Sequence, residues 1–310
     1  MRAAYAGALP AELSQRRPLM GGHATITLVG GSEGLLDRAF ALADRCEALW
    51  SRFLPLSDIS RLNWAEGKPV QVDALTIRLV ESMREAYAMT QGDFDPTLLP
   101  WVLTAGYTAS VVAPDLVTSL PDSARAPGNL AAVRFGDGEI VLPRGTVLDA
   151  GGIGKGLTAD LVCAFALAEG AQGIMAEISG DIVVGGLAPD GIAWRLGVED
   201  PEDATVHKAI VRLPRGAIVT SSTRRRRFAV GLEERHHLID PQTGGSARDD
   251  IATVTVIAAT GAKAEALTKP GFRRETRTYL DWLPTVGAAG LVMTATGETL
   301  TSSNWERYIC

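Results

Sequence analysis

The sequence predicts an α+β chain in which mostly antiparallel sheets are flanked by helices. Two observations carry that prediction: helical apolar stripes alternate with short strand-like runs along the 310 residues, and hairpin turns rather than long crossovers separate most of the strands. Ala24 to Val29 alternates as the first strand, and Leu35 to Trp50 follows as a helix with Leu36, Ala39, Phe40, Ala43, Cys46 and Trp50 along one face. Leu79, Val80, Met83, Ala86 and Tyr87 mark a second helical face. Val133 to Phe135 and Ile140 to Leu142, bridged by Gly136-Asp137-Gly138, read as a hairpin. An apolar strand at Val147-Leu148 enters a glycine-rich segment, and Leu161, Ala164, Phe165 and Ala168 mark the helix after it. Further strands fall at Gly173 to Ile178, Asp181 to Val184, Trp194 to Val198, Ala209 to Leu213, Phe228 to Val230, Ala252 to Ala258 and Leu291 to Ala295.

Residues 1–19 read as an N-terminal tail and residues 20–310 as one domain, long enough to bury a large core. Within it the stretch 110–129, with Pro114, Pro121 and Pro127, reads as a flexible connection. A net charge of −6 and a pI near 5.4 argue against a nucleic-acid partner. The run Arg224 to Arg227 is the one basic cluster and reads as a solvated edge. Three cysteines without CxxC spacing suggest neither a disulfide framework nor a zinc site. Cys46 and Cys163 fall in apolar helical patterns, and Cys310 ends the chain. No run approaches the ~18–20 apolar residues of a membrane span, and the first nineteen residues lack the order of an export signal, so the expected location is the cytoplasm.

The segment Val147-Leu148-Asp149-Ala150-Gly151-Gly152-Ile153-Gly154-Lys155-Gly156 carries the chemistry. Glycines let backbone N–H groups approach a phosphate, the helix start adds a partial positive charge, and the lysine supplies a full one. It is not a P-loop, because Asp149 and Gly156 stand where that motif needs a Gly and a Ser or Thr. Taken alone it also fits an ordinary tight connection, with Asp149 as a helix cap. Asp95 and Thr97 flank Pro96 and either present two polar groups to a ligand or form an Asx-type turn. His237 precedes Asp240 by three positions, where an imidazole could accept a proton or bind phosphate. Of the adjacent His236 and His237, only one can face a cleft from a strand.

Several stretches, in this order, resemble the flavin transferase family called ApbE, or FAD:protein FMN transferase. They are Met20-Gly21, Ser57-Asp58-Ile59-Ser60-Arg61-Leu62-Asn63, Gly92-Asp93-Phe94-Asp95-Pro96-Thr97 and the glycine segment. Glu177-Ile178-Ser179-Gly180-Asp181, Thr220-Ser221-Ser222 and the run from His236 to Gly244 continue the series, so the resemblance covers nearly the whole chain. It implies an ApbE-like, T-fold-like architecture and a site for FAD and Mg²⁺. Met20, Phe53, Asp95, Thr97, Asp149, Lys155 and Ile239 are then expected to bind the flavin dinucleotide. Read without the resemblance, Met20 and Phe53 would be core residues. The carbonyl of Gly152, with Glu265 and Thr268, is expected at the metal, and His237 and Glu265 are the expected catalytic groups.

One stretch departs from the pattern. The family places Asp at the position of Glu265 and Thr four residues later, where this chain has Lys269. A protonated lysine has no lone pair to give a metal, and Thr268 lies about 100° around a helix from that position. Lys269 either takes over part of the metal's neutralising role or pairs with Glu265 as a structural ion pair. The implied activity is a transferase reaction that moves FMN from FAD to a Ser or Thr hydroxyl of an acceptor protein and releases AMP. Two alternatives stay open: an FAD pyrophosphatase giving FMN and AMP, and a catalytically weak FAD-binding protein whose metal site has degraded.

Overall fold

A computed structural model of the chain describes residues 10–203, 205–224, 227–230 and 233–310, with side chains except at 227–230 and 233–235. Residues 1–9 of the expected tail, and Arg225 and Arg226 of the basic run, lie outside the described residues. The strands are β1 (Glu12–Leu19), β2 (Gly22–Val29), β3 (Val70–Gln71), β4 (Arg134–Phe135), β5 (Glu139–Val141), β6 (Gly173–Ile178), β7 (Asp181–Gly186), β8 (Trp194–Glu199), β9 (His207–Leu213), β10 (Gly216–Ser222), β11 (Arg227–Val230), β12 (Glu233–His236), β13 (Ile251–Ala258), β14 (Ala289–Thr294) and β15 (Thr299–Thr301). The helices are α1 (Glu33–Trp50), α2 (Asp58–Asn63), α3 (Ala74–Thr90), α4 (Leu99–Thr104), α5 (Gly154–Ala168), α6 (Gly261–Thr268) and α7 (Thr276–Trp282).

Among the described residues an eight-stranded sheet, in the order β1-β2-β6-β7-β10-β13-β14-β15, pairs antiparallel throughout. This is the expected α+β class. One face packs on α1, α5, α6 and α7 through residues such as Ile26, Phe40, Val162, Val256 and Leu267. The other face is covered by the β8–β9 hairpin and Trp305, which bury Val184, Ile218, Ile257 and Leu291. A second helical layer, α2 and α3 with the β4–β5 hairpin, packs under Trp50, Leu148 and Ile153 and carries the glycine segment. No helix among the described residues is long and apolar enough to cross a membrane.

The expected helix at 35–50 buries the face its spacing marks, with Ser32 capping it through the N–H of Leu35. Four expectations are corrected. Residues 12–19, read as tail, form β1 in full register with β2, around a turn at Met20 and Gly21 with positive φ. As a mostly exposed edge strand, β1 needs no apolar alternation and so leaves no periodic signal. In α5 the buried face is Ala159, Val162, Cys163 and Ala166, while Ala164 is exposed and Leu161 and Phe165 are half-buried. That helix is apolar almost all round, so periodicity cannot choose its inner side. Tyr87 sits at the margin of the α3 stripe, 37% exposed. Val147 and Leu148 are buried but join no strand; the Asn63 side chain exchanges hydrogen bonds with Leu148, N–H at 2.7 Å and carbonyl at 2.9 Å, and so replaces a ladder partner. The stretch 110–129 is irregular yet anchored: Ser110 N–H donates to Leu116, Thr118 to Thr108 and Arg125 to Gly145.

Candidate active site

A cleft of about 870 Å³ opens where the glycine segment, the β6–β7 turn, the end of β10 and the 237–241 loop meet. Seven of the expected site residues line it: Asp95, Asp149, Gly152, Lys155, His237, Ile239 and Glu265. A second hollow of about 840 Å³ beside Trp64, Arg125 and Arg144 is more open and holds none of them.

Asp149 caps the short turn at Ala150–Gly152 by accepting from Gly151 N–H at 3.0 Å, as its cap reading expects. Its other oxygen lies 3.7 Å from Nε of Arg52, a buried cation. Arg52 donates to Thr118 Oγ1 at 2.6 Å and to the Tyr107 carbonyl at 2.9 Å, and its guanidinium lies 4.2 Å from the Phe53 ring centroid and 4.7 Å from that of Tyr107. Tyr107 lines the cleft and Phe53 stands behind it, edge to face at 6.0 Å.

Lys155 opens α5, whose N-terminus has no side-chain cap. Its ammonium lies 2.6 Å from Asp181 Oδ2 and 3.0 Å from Glu265 Oε1. The other oxygen of Glu265 accepts from Gly156 N–H at 2.8 Å. Both carboxylates are buried, and burial pushes the Asp181 carboxyl up to about 7; the Glu265 charge adds to that and Lys155 opposes it. Asp181 closes the Glu177–Asp181 motif, and that motif was the only signal that could have marked it. Gly156 is needed for helix packing. A Cβ there would lie 2.3 Å from the Gly261 carbonyl oxygen on α6, so Gly156→Ala is expected to cost about 1–3 kcal/mol by forcing α5 and α6 apart. Urea denaturation checks this, and an unchanged midpoint would remove the close-packing account.

Of the expected metal donors, Thr268 and the main-chain carbonyl, not the carboxylate, of Glu265 meet at a lysine. Lys269 Nζ donates to the Glu265 carbonyl, Thr268 Oγ1 and Ser221 Oγ, each at 3.1 Å. A Cβ on Gly152 would lie 3.4 Å from Lys269 Cε. Among the described residues no group of three or more His, Cys, Asp or Glu side chains is arranged to hold a metal. With Glu265 held by Lys155 and Gly156, these donors do not fit a divalent cation beside the ammonium.

Four expected residues stand behind the wall. Thr268 is fully buried, its hydroxyl on the Glu265 carbonyl at 2.7 Å. Thr97 is fully buried too: its N–H donates to Asp95 Oδ1 at 2.8 Å, which is the Asx-turn arrangement, and its hydroxyl donates to the same oxygen at 2.6 Å and accepts from Gly128 N–H at 2.8 Å. Burial raises the pKa of Asp95, against those bonds from Thr97. Met20 turns inward to pack on both helical cores, its N–H on Glu47 Oε1 at 2.9 Å and its sulfur 3.8 Å from the Thr158 hydroxyl. Phe53 is the fourth, displaced by Tyr107. His237 and Ile239 also line the cleft, and Ile239 packs with Val102, Val147 and Tyr107. His236 is buried, its Nδ1 3.3 Å from Leu238 N–H and its Nε2 3.3 Å from Asp249.

The family model described as "ApbE family" matches residues 20–289. The chain belongs to the ApbE family. It is 28% identical over 211 residues to the FAD:protein FMN transferase of Vibrio cholerae, covering 65% of this chain and 61% of that protein. A Klebsiella pneumoniae protein of the same name is 27% identical over 242 residues, covering 76% of this chain and 69% of that one. The fold superimposes on the crystal structure of the ApbE protein of Thermotoga maritima with a TM-score of 0.83 at 24% identity, over 97% of this chain and 100% of that one.

Proposed function

We propose that this family member is an FAD:protein FMN transferase. The observation that carries the reading is the cleft itself, which two lysines, a glycine turn, His237 and Ile239 all line. Lys155, Lys269 and the turn at Gly151 and Gly152 supply positive potential for a pyrophosphate, and the half of the cleft near Tyr107, Leu98 and Val102 offers apolar surface for the flavin ring. In the proposed step an acceptor Ser or Thr oxygen attacks the FMN-side phosphorus of FAD. The bond from that phosphorus to the bridging oxygen breaks, AMP leaves with the bridging oxygen, and the hydroxyl proton passes to His237. The lysines stabilise charge on the phosphate oxygens.

Of the donors the resemblance implies for Mg²⁺, Glu265 and Thr268 are engaged by Lys155 and Lys269, so the proposed steps use protein groups alone. The same engagement favours a second reading, a protein that holds FAD without turning it over. Incubating the protein with FAD, with and without a candidate acceptor, and following AMP and protein-bound flavin together separates the readings. Transfer predicts AMP and bound flavin in equal amounts, only with acceptor. AMP without bound flavin would replace transfer by hydrolysis, and FAD retention without AMP would leave the binding reading.

A further inference from the structure

The oxygens around Lys269 form the kind of shell a small cation takes: one main-chain carbonyl and two hydroxyls, all uncharged. The hydroxyls of Ser221 and Thr268 are 2.7 Å apart, so the shell is compact. It is assembled from β10 and from the last turn of α6, and Lys269 fills it from its own helix end. The nearest carboxylate, that of Glu265, turns its oxygens to Lys155 and to Gly156 N–H instead of to Lys269. Lys155 and Lys269 thus stand on either side of Glu265, one on its side chain and one on its carbonyl, and both line the cleft beside Gly152.

We propose that Lys269 is a tethered ammonium that replaces a divalent cation, and that with Lys155 it forms a clamp binding a pyrophosphate without metal. A diffusible cation directed to the same oxygens would have to displace the ammonium or sit against its charge, and like charges a few ångströms apart repel strongly in a partly desolvated cleft. The clamp requires only a pyrophosphate; that the natural ligand is FAD rests on the reading above.

The test is calorimetric titration of the intact protein with FAD, and separately with inorganic pyrophosphate, in EDTA and in excess Mg²⁺. The clamp predicts binding in EDTA with an affinity within about two-fold of that in Mg²⁺, since no metal enters the complex. Lys269→Thr should weaken binding in EDTA about ten-fold or more, the loss of a charge-assisted contact, and should regain it in Mg²⁺. Lys269→Met, which provides neither charge nor a hydroxyl, should lose affinity in EDTA and not regain it. Parent protein that binds neither ligand in EDTA, or Lys269→Thr and Lys269→Met that both bind like the parent there, would overturn the clamp. The parent titration needs no variant to fold. Pyrophosphate bound in EDTA in a Lys269-dependent way, with no binding of FAD, would leave the clamp standing and remove the flavin reading.

Discussion

Lys155→Met is expected to destabilise the protein by about 3–5 kcal/mol at pH 8, because it strips the partner from two buried carboxylates while leaving their burial intact. The side chains of Asp181 and Glu265 are only 2% and 1% exposed and lie 2.6 and 3.0 Å from the ammonium. The deficit should depend on pH in a definite direction. Asp181 has a folded pKa raised to about 7 from the ordinary 3.8, chiefly by burial. A carboxyl raised in the fold favours folding when protonated, so its contribution is complete below about pH 4 and is lost as pH rises through about 7. Removing Lys155 raises that pKa further, since the lysine opposes the shift. At pH 5 Asp181 is already protonated in the folded parent, and the lysine then has chiefly Glu265 to neutralise. The variant's deficit should therefore be smaller at pH 5 than at pH 8. Guanidinium unfolding of parent and variant at both values measures it. Equal deficits at the two values, or none at pH 8, would show that the ion cluster does not hold the floor of the cleft.

His237→Gln should lower the rate of flavin transfer about 10²–10⁴-fold at saturating FAD, the range for removing a positioned general base. Glutamine preserves a hydrogen-bonding group of similar reach but cannot take a proton at neutral pH. The backbone that carries His237 is fixed by its neighbours. Asp240 accepts from Gln242 N–H at 2.8 Å, its carbonyl accepts from Gly244 at 2.9 Å, and its own N–H donates to Gly245 at 2.9 Å. The substitution should therefore change one side chain on the cleft wall and little else. A base predicts an FAD dissociation constant within about two-fold of the parent's, because the interaction is made in the transition state. A weakened dissociation constant with an unchanged saturated rate would reassign His237 to holding phosphate.

The sequence by itself determined the fold class, the α1 stripe, the β4–β5 hairpin and the strands from β6 to β9, since each follows from local period and turn chemistry. Its ordered motifs also named seven residues that meet in one cleft. The edge strand β1 and the inner face of α5 were not legible, because one needs no apolar period and the other is apolar on nearly every side. Thr97 and Thr268 are buried away from the cleft, Met20 packs on the helical cores and Phe53 sits half-buried against Tyr107, a choice made by packing partners such as Thr158, Tyr107 and Gly128. Only the tertiary structure decided what Lys155 and Lys269 touch. Their partners, Asp181, Ser221 and Glu265, come from β7, β10 and α6, so the charge balance of the cleft floor depends on distances between elements far apart in the chain. Burial then turns those few ångströms into the dominant energies of the site, which no spacing along the sequence encodes.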